Sequence, residues 1–132
     1  MSKILLDKTI FIDFFNEDTS ARSIIKKIID QELIGSVSPI TLYDLWKMES
    51  FNRKHEISIT AILKFIEVAS LSISAAKYAG NLISKLNLDE DNQNPDIYLF
   101  SLIAATAKER NELICTRNIE IYNKFNVEIF DY

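Results

Sequence analysis

The sequence predicts an α/β fold, in which a short and mostly parallel sheet carries helices on both of its faces. Short apolar runs of strand length alternate along the chain with longer segments of helical spacing. A length of 132 residues suits one domain, and 48% hydrophobic against 26% charged residues excludes a disordered chain. We therefore expect residues 1–132 to form a single domain with one sizeable core.

A buried strand and an amphipathic helix open the chain. Ile4–Leu6 is an apolar run that ends at Asp7. The helix is expected to have its N-cap at Thr19 or Ser20, and Gly35 is expected just past its end. Its apolar residues recur at the spacing of one helix face, at Ala21, Ile24, Ile25, Ile28 and Ile29.

The middle of the chain is expected to add a second strand and three helices. Val37–Ile40 is predicted as the strand, and a helix is predicted to begin at Thr41. A polar break over residues 49–56 separates this helix from the next, and an amphipathic helix is predicted to open at Ser74.

The last third is expected to hold a polar loop, a buried helix and two strands. Residues 87–95 are the most polar stretch, and Asp96 follows them where a helix is expected to begin. Ile97–Ala107 is apolar nearly all round, which predicts a helix packed into the core. The strands are predicted at Leu113–Cys115 and Val127–Phe130.

Composition excludes several classes of site. Two glycines cannot build a glycine-rich phosphate loop, and one histidine with one cysteine cannot build a zinc finger or an intrachain disulfide. We expect His55 at the surface and Cys115 as a small buried hydrophobe. The net charge of −4 supplies no general attraction to nucleic acid. No secretory signal or membrane span is apparent, so the cytoplasm is the expected compartment.

Oxygen-bearing side chains follow the predicted strands. Because the carboxyl ends of parallel strands meet at one edge of a sheet, these side chains are expected to converge there. They are Asp7 and Thr9 after the first strand, Asp44 after the second, Thr116, Arg117 and Asn118 after the third, and Asp96 before the buried helix. A cluster of hard oxygen donors suits Mg²⁺ or Mn²⁺.

Three segments resemble motifs of one family. Ile4–Asp13 is similar to an opening strand that ends in Asp-Thr-(Asn/Ser), and Ser38–Leu45 is similar to an S-x-x-T-x-x-E-L junction. Leu102–Ala107 followed by Leu113–Asn118 is similar to a D-x-x-I-A-A-T-A and L-V-T-R-N ending. The chain thus resembles the PIN-domain nucleases, and by pattern the VapC-type toxins of toxin–antitoxin pairs. The resemblance implies a PIN-like three-layer α/β/α domain.

The resemblance also implies a set of functional residues. Asp44 stands where the family has Glu, and Phe100 stands where it has its third acid. Asp96, one helical turn earlier, is the expected replacement, and Asn118 fits a family position that accepts Asp or Asn. Asp7, Asp44 and Asp96 are therefore the predicted catalytic and metal-binding acids. Asn118 is a further metal ligand, and Thr9, Thr116 and Arg117 would support the substrate.

Two functions of different class remain open. The resemblance implies a Mg²⁺- or Mn²⁺-dependent endoribonuclease that forms a homodimer and is inhibited by a cognate antitoxin protein. The metal would activate a water for hydrolysis of RNA. The alternative, which Phe100 motivates, is a catalytically degenerate PIN-like protein that binds RNA or protein.

Overall fold

A single parallel sheet forms the centre of the molecule. The computed structural model describes residues 2–86 and 94–132, and most of the predicted polar loop at 87–95 lies outside the described residues. The strand order is β3-β2-β1-β4-β5, and all four neighbouring pairs are parallel. The strands are β1 (Lys3–Leu6), β2 (Ile34–Val37), β3 (Glu67–Val68), β4 (Leu113–Cys115) and β5 (Ile129–Phe130).

Helices cover both faces of this sheet. They are α1 (Lys8–Phe15), α2 (Thr19–Ile29), α3 (Pro39–Trp46), α4 (Arg53–Ile62), α5 (Ile73–Lys85), α6 (Ile97–Arg110) and α7 (Ile119–Asn123). Alternate residues of β1 enter separate cores, since Ile4 and Leu6 pack with α1, α2 and α4 whereas Leu5 packs with α6 and α7. The predicted three-layer α/β/α class is therefore confirmed.

The predicted boundaries of α2 were wrong. Asp18 is its N-cap and accepts a hydrogen bond from the amide of Ala21 at 2.9 Å. Gln31, with a φ of 63°, follows the helix in the left-handed conformation, and Gly35 lies inside β2. A Cβ at Gly35 would come within 2.8 Å of Cδ1 of Ile28. The glycine therefore serves the close packing of β2 on α2 rather than the end of the helix.

Other boundaries moved by a few residues. Ser38 is the N-cap of α3, so β2 ends earlier than predicted and the helix begins at Pro39. Ser72 caps α5, so this helix begins at Ile73, one residue before the predicted opening at Ser74. The short elements β3 and α7 were not predicted, because a two-residue strand and a five-residue helix carry no periodic signal.

The burial of His55 differs from the prediction, whereas the burial of Cys115 agrees with it. His55 is half-buried, and its ring stacks on Phe15 with centroids 4.1 Å apart, so it is not a plain surface residue. Cys115 is fully buried, as predicted. Within residues 2–86 and 94–132, no helix has the length and apolar character needed to cross a membrane.

Candidate active site

Asp7 is a buried carboxylate at the junction of β1 and α1. It occupies the N-cap position of α1, yet its side chain makes no capping hydrogen bond. Its Oδ2 instead accepts from the hydroxyl of Thr116 at 2.7 Å and from that of Thr9 at 3.4 Å. Its Oδ1 accepts from the hydroxyl of Tyr122 at 2.8 Å. Three neutral donors therefore orient Asp7, and none of them neutralises its charge.

Asp44, on α3, is buried beside two lysines. Lys8 Nζ lies 3.0 Å from its Oδ2, and Lys47 Nζ lies 3.2 Å from its Oδ1. The contact with Lys47 is an ion pair without hydrogen-bond geometry, because this buried Oδ1 has no hydrogen-bond partner. The Asp44 carboxylate raises the pKa of Lys47, and Asp96 adds to the shift. The two ammonium groups therefore compensate the charge of Asp44.

Asp96 joins this group through Lys47. It is the N-cap residue of α6, at the place where the sequence predicts that a helix begins. Asn94 Oδ1 accepts from the amide of Asp96 at 2.9 Å, and Lys47 Nζ lies 3.5 Å from Asp96 Oδ1. A single ammonium thus bridges carboxylates on α3 and α6.

Tyr122 connects the Asp7 and Asp44 parts of the site. Burial is the main cause that raises its pKa well above the ordinary value, and the charge of Asp7, its hydrogen bond to Asp7 and the charge of Asp44 act in the same direction. Both carboxylates therefore act on one phenol, which stays protonated and can keep donating. Phe100, where the resemblance predicts an acid, is buried and packs edge-on against the Tyr122 ring, with centroids 5.3 Å apart.

Two buried oxygens one turn apart on α3 have no hydrogen-bond partner: Thr41 Oγ1 and Asp44 Oδ1. Buried polar atoms of this kind are rare and point to a missing partner such as a water or an ion. The predicted donors are all oxygens, which is the donor chemistry that Mg²⁺ and Mn²⁺ prefer, so these residues fit such an ion. In the part of the chain that the structure describes, however, no three His, Cys, Asp or Glu side chains are arranged to hold a metal.

The β4–α7 loop positions the remaining predicted residues. The amide of Arg117 donates to Thr9 Oγ1 at 3.0 Å, and the amide of Asn118 donates to Thr116 Oγ1 at 2.9 Å. The Arg117 guanidinium pairs with Asp13 and Asp18, each at 3.2 Å. Arg117 therefore ties this loop to α1 and α2.

The prediction from sequence did not include three of the groups that shape this site: Lys8, Lys47 and Tyr122. For Lys47 a signal existed, since a residue three positions after Asp44 shares its helix face. Lys8 adjoins Asp7 in sequence but pairs with Asp44, and Tyr122 lies on the unpredicted α7. No local pattern identifies either.

The sheet order and the acids after β1 and β2 define a PIN-like α/β/α domain. No protein-family model and no curated protein matches the sequence. Solved structures of the same fold include VapBC2 from Rickettsia felis bound to a DNA fragment from its promoter. That chain is 18% identical with a TM-score of 0.73, and 98% of each chain is covered. DNA-bound VapBC from Salmonella typhimurium is 20% identical with a TM-score of 0.72, and 99% of this chain and 98% of that one are covered.

VapBC-1 from nontypeable Haemophilus influenzae also shares the fold. It is 20% identical with a TM-score of 0.71, and the match covers 98% of this chain and 97% of that chain. Because these matches span nearly the whole of both chains, the likeness concerns the complete domain. The chain therefore has the PIN-like fold found in VapBC complexes.

Proposed function

We propose that the chain is the toxin of a toxin–antitoxin pair and cleaves RNA with the help of a divalent cation. The observation that carries the proposal is the pair of buried carboxylates, Asp7 and Asp44, at the carboxyl edge of the sheet. Burial of carboxylates costs stability, and neither side chain caps its helix. Buried carboxylates at the carboxyl edge of a parallel sheet stand where α/β proteins bind their ligands.

The residues of this chain would divide the work as follows. Asp7, Asp44 and Asp96, assisted by Asn118, would hold Mg²⁺ or Mn²⁺, which supplies an activated water and stabilises charge on the scissile phosphate. Thr116 and Tyr122 keep the Asp7 carboxylate in one orientation. The hydrogen bond from the Arg117 amide to Thr9 Oγ1 holds the β4–α7 loop against the start of α1, next to Asp7. Thr9, Thr116 and Arg117 would support the substrate from these positions.

Manganese-dependent cleavage of a structured RNA tests the proposal. The wild-type chain should cleave the RNA with Mn²⁺ and stop when EDTA is added. Asp7→Asn should abolish cleavage, whereas Asp30→Asn, which removes an exposed acid on the α2 side, should not. Equal cleavage by wild type and Asp7→Asn would refute the assignment of the site.

A second function is favoured by Phe100. Its buried ring occupies the place of an acid, and the Asp44 charge is already compensated by lysines. On this alternative the protein is catalytically degenerate and binds RNA or protein. Retention of RNA in a filter-binding assay, with no cleavage at saturating Mn²⁺, would support it over the nuclease.

The partners proposed are a cognate antitoxin and a second copy of the chain, and the compartment proposed is the cytoplasm. Solved structures of this fold include VapBC complexes from several bacteria, which is the support for an antitoxin. Large apolar side chains remain exposed on several helices, as at Tyr43, Ile57, Ile73 and Tyr78. Light scattering should report a homodimer, and a monomer at high micromolar concentration would contradict that part of the proposal.

A further inference from the structure

The acidic crevice, defined here by Asp7, Asp44 and Asp96, has two ammonium groups beside its Asp44 carboxylate. Lys8 Nζ lies 3.0 Å from Asp44 Oδ2, Lys47 Nζ lies 3.2 Å from Asp44 Oδ1, and Lys47 also lies 3.5 Å from Asp96 Oδ1. One ammonium therefore lies near each oxygen of Asp44. A lysine ammonium is a compact point charge and can replace a small cation beside a carboxylate.

We propose that Lys8 and Lys47 are internal counter-ions of the crevice, and that a divalent cation binds Asp44 only by displacing at least one of their ammonium groups. The inference rests on the proposed function for the identity of the cation. It concerns binding and not catalysis, because it states what competes with the ion for Asp44. The two lysines are thus affinity-determining residues, and the crevice in its resting form is already partly neutralised.

The competition follows from charge and from the small number of acids. Asn118 is neutral and Phe100 is apolar, so the negative charge of the crevice comes from Asp7, Asp44 and Asp96. Two lysines offset part of the remaining charge. A divalent ion that entered beside them would be repelled by any ammonium left within a few ångströms, and this repulsion is large near a protein interior.

The two lysines are expected to differ in how strongly they compete with a cation for Asp44. The Lys8 side chain is 20% exposed and the Lys47 side chain is 43% exposed. Lys47 can swing into solvent when an ion arrives, whereas Lys8 is more enclosed and leaves less readily. Removal of Lys8 should therefore raise cation affinity more than removal of Lys47.

Calorimetric titration of Mn²⁺ alone into the full chain, without RNA, tests this order. Methionine keeps most of the aliphatic stem and removes the charge. Lys8→Met should bind Mn²⁺ about tenfold more tightly than wild type, and Lys47→Met about threefold more tightly. The matched control is Lys26→Met, because Lys26 makes an ion pair of the same kind with Asp30 on the exposed face of α2, and its Mn²⁺ affinity should equal that of wild type.

Each variant is first checked for folding by circular dichroism. Lys8→Met leaves Asp44 with a single ammonium partner and could fail to fold for that reason. In that case Lys47→Met, which removes the more exposed lysine, tests the inference alone. Mn²⁺ affinities equal to that of wild type in the folded crevice variants would overturn the inference, and so would an absence of Mn²⁺ binding in all of them. A wild-type chain that cleaves no RNA, beside variants that bind Mn²⁺ more tightly, would defeat the proposed function and leave this inference standing.

Discussion

Tyr122→Phe isolates the hydrogen bond that orients Asp7. The Tyr122 hydroxyl donates at 2.8 Å to a carboxylate that is only 1% exposed, and Tyr122 itself is fully buried. The ring is kept in Phe, so its edge-on packing with Phe100 is retained and the change removes one donor. A hydrogen bond to a charged group contributes about 1.5–3 kcal/mol to the free energy of unfolding. Because the site is buried, a water molecule does not readily replace the missing Tyr122 hydroxyl. For a domain of this length the loss corresponds to a fall in melting temperature of about 5–15 °C.

The assay is thermal unfolding followed by circular dichroism, at neutral pH and again above pH 10. Burial and the neighbouring charges raise the pKa of Tyr122 in the folded protein, so the unfolded chain releases this proton first. Its contribution to stability is complete below the ordinary tyrosine pKa of about 10 and declines as pH rises above that value. The difference in melting temperature between wild type and Tyr122→Phe should therefore become smaller above pH 10. Equal melting temperatures at neutral pH, or a difference in melting temperature that grows above pH 10, would refute the assigned role of the hydroxyl.

Three further changes test other parts of the structure. Glu112 is buried and accepts hydrogen bonds from Arg110 Nε at 2.7 Å and from Ser36 Oγ at 2.9 Å. Glu112→Gln should therefore lower the free energy of unfolding in urea by about 2–3 kcal/mol. Glu67→Gln, at the exposed partner of the same arginine, should lower it by less than about 1 kcal/mol. Burial raises the pKa of Cys115 to about 12, so a thiol reagent at pH 8 should modify it only in the urea-unfolded chain. Asp96→Asn should abolish Mn²⁺-dependent cleavage while leaving the melting temperature nearly unchanged, since the Asp96 side chain is 31% exposed; full cleavage by this variant would remove Asp96 from the site.

Periodicity predicted the parts of the fold that bury long apolar faces. The β1 strand, the helix with Ile24 and Ile28 on its buried face, and the apolar α6 all lie where the sequence places them. Helix ends were less predictable, because a cap depends on which of several neighbouring polar residues reaches the first free amides. At α2 both Asp18 and Thr19 are suitable caps by residue type, and only the three-dimensional path of the chain selects Asp18. The two short elements depend wholly on tertiary packing.

The candidate site was predictable to the extent that topology decides it. Residues that follow parallel strands meet at one edge, so Asp7, Asp44 and Thr116 could be grouped without a structure. Partner choice was not predictable, because it depends on side-chain paths across elements. Lys8 pairs with Asp44 and not with its neighbour Asp7, and Thr116, 109 positions away in sequence, supplies the shortest hydroxyl contact to Asp7.

Phe100, at a position where the resemblance predicts an acid, is best understood together with Tyr122 and the lysines. A carboxylate at position 100 would lie against the ring whose hydroxyl already serves Asp7, and a third buried charge would face the repulsion of both existing ones. Phe100 instead fills that space with an apolar ring and supports the Tyr122 ring that orients Asp7. Lys8 and Lys47 compensate the charge of Asp44, which is buried on α3. Phe100 and the two lysines therefore act in the same direction, because each limits the uncompensated negative charge around Asp7 and Asp44. On the proposed function, we expect cation binding in this crevice to depend as much on the displacement of Lys8 and Lys47 as on the number of carboxylates.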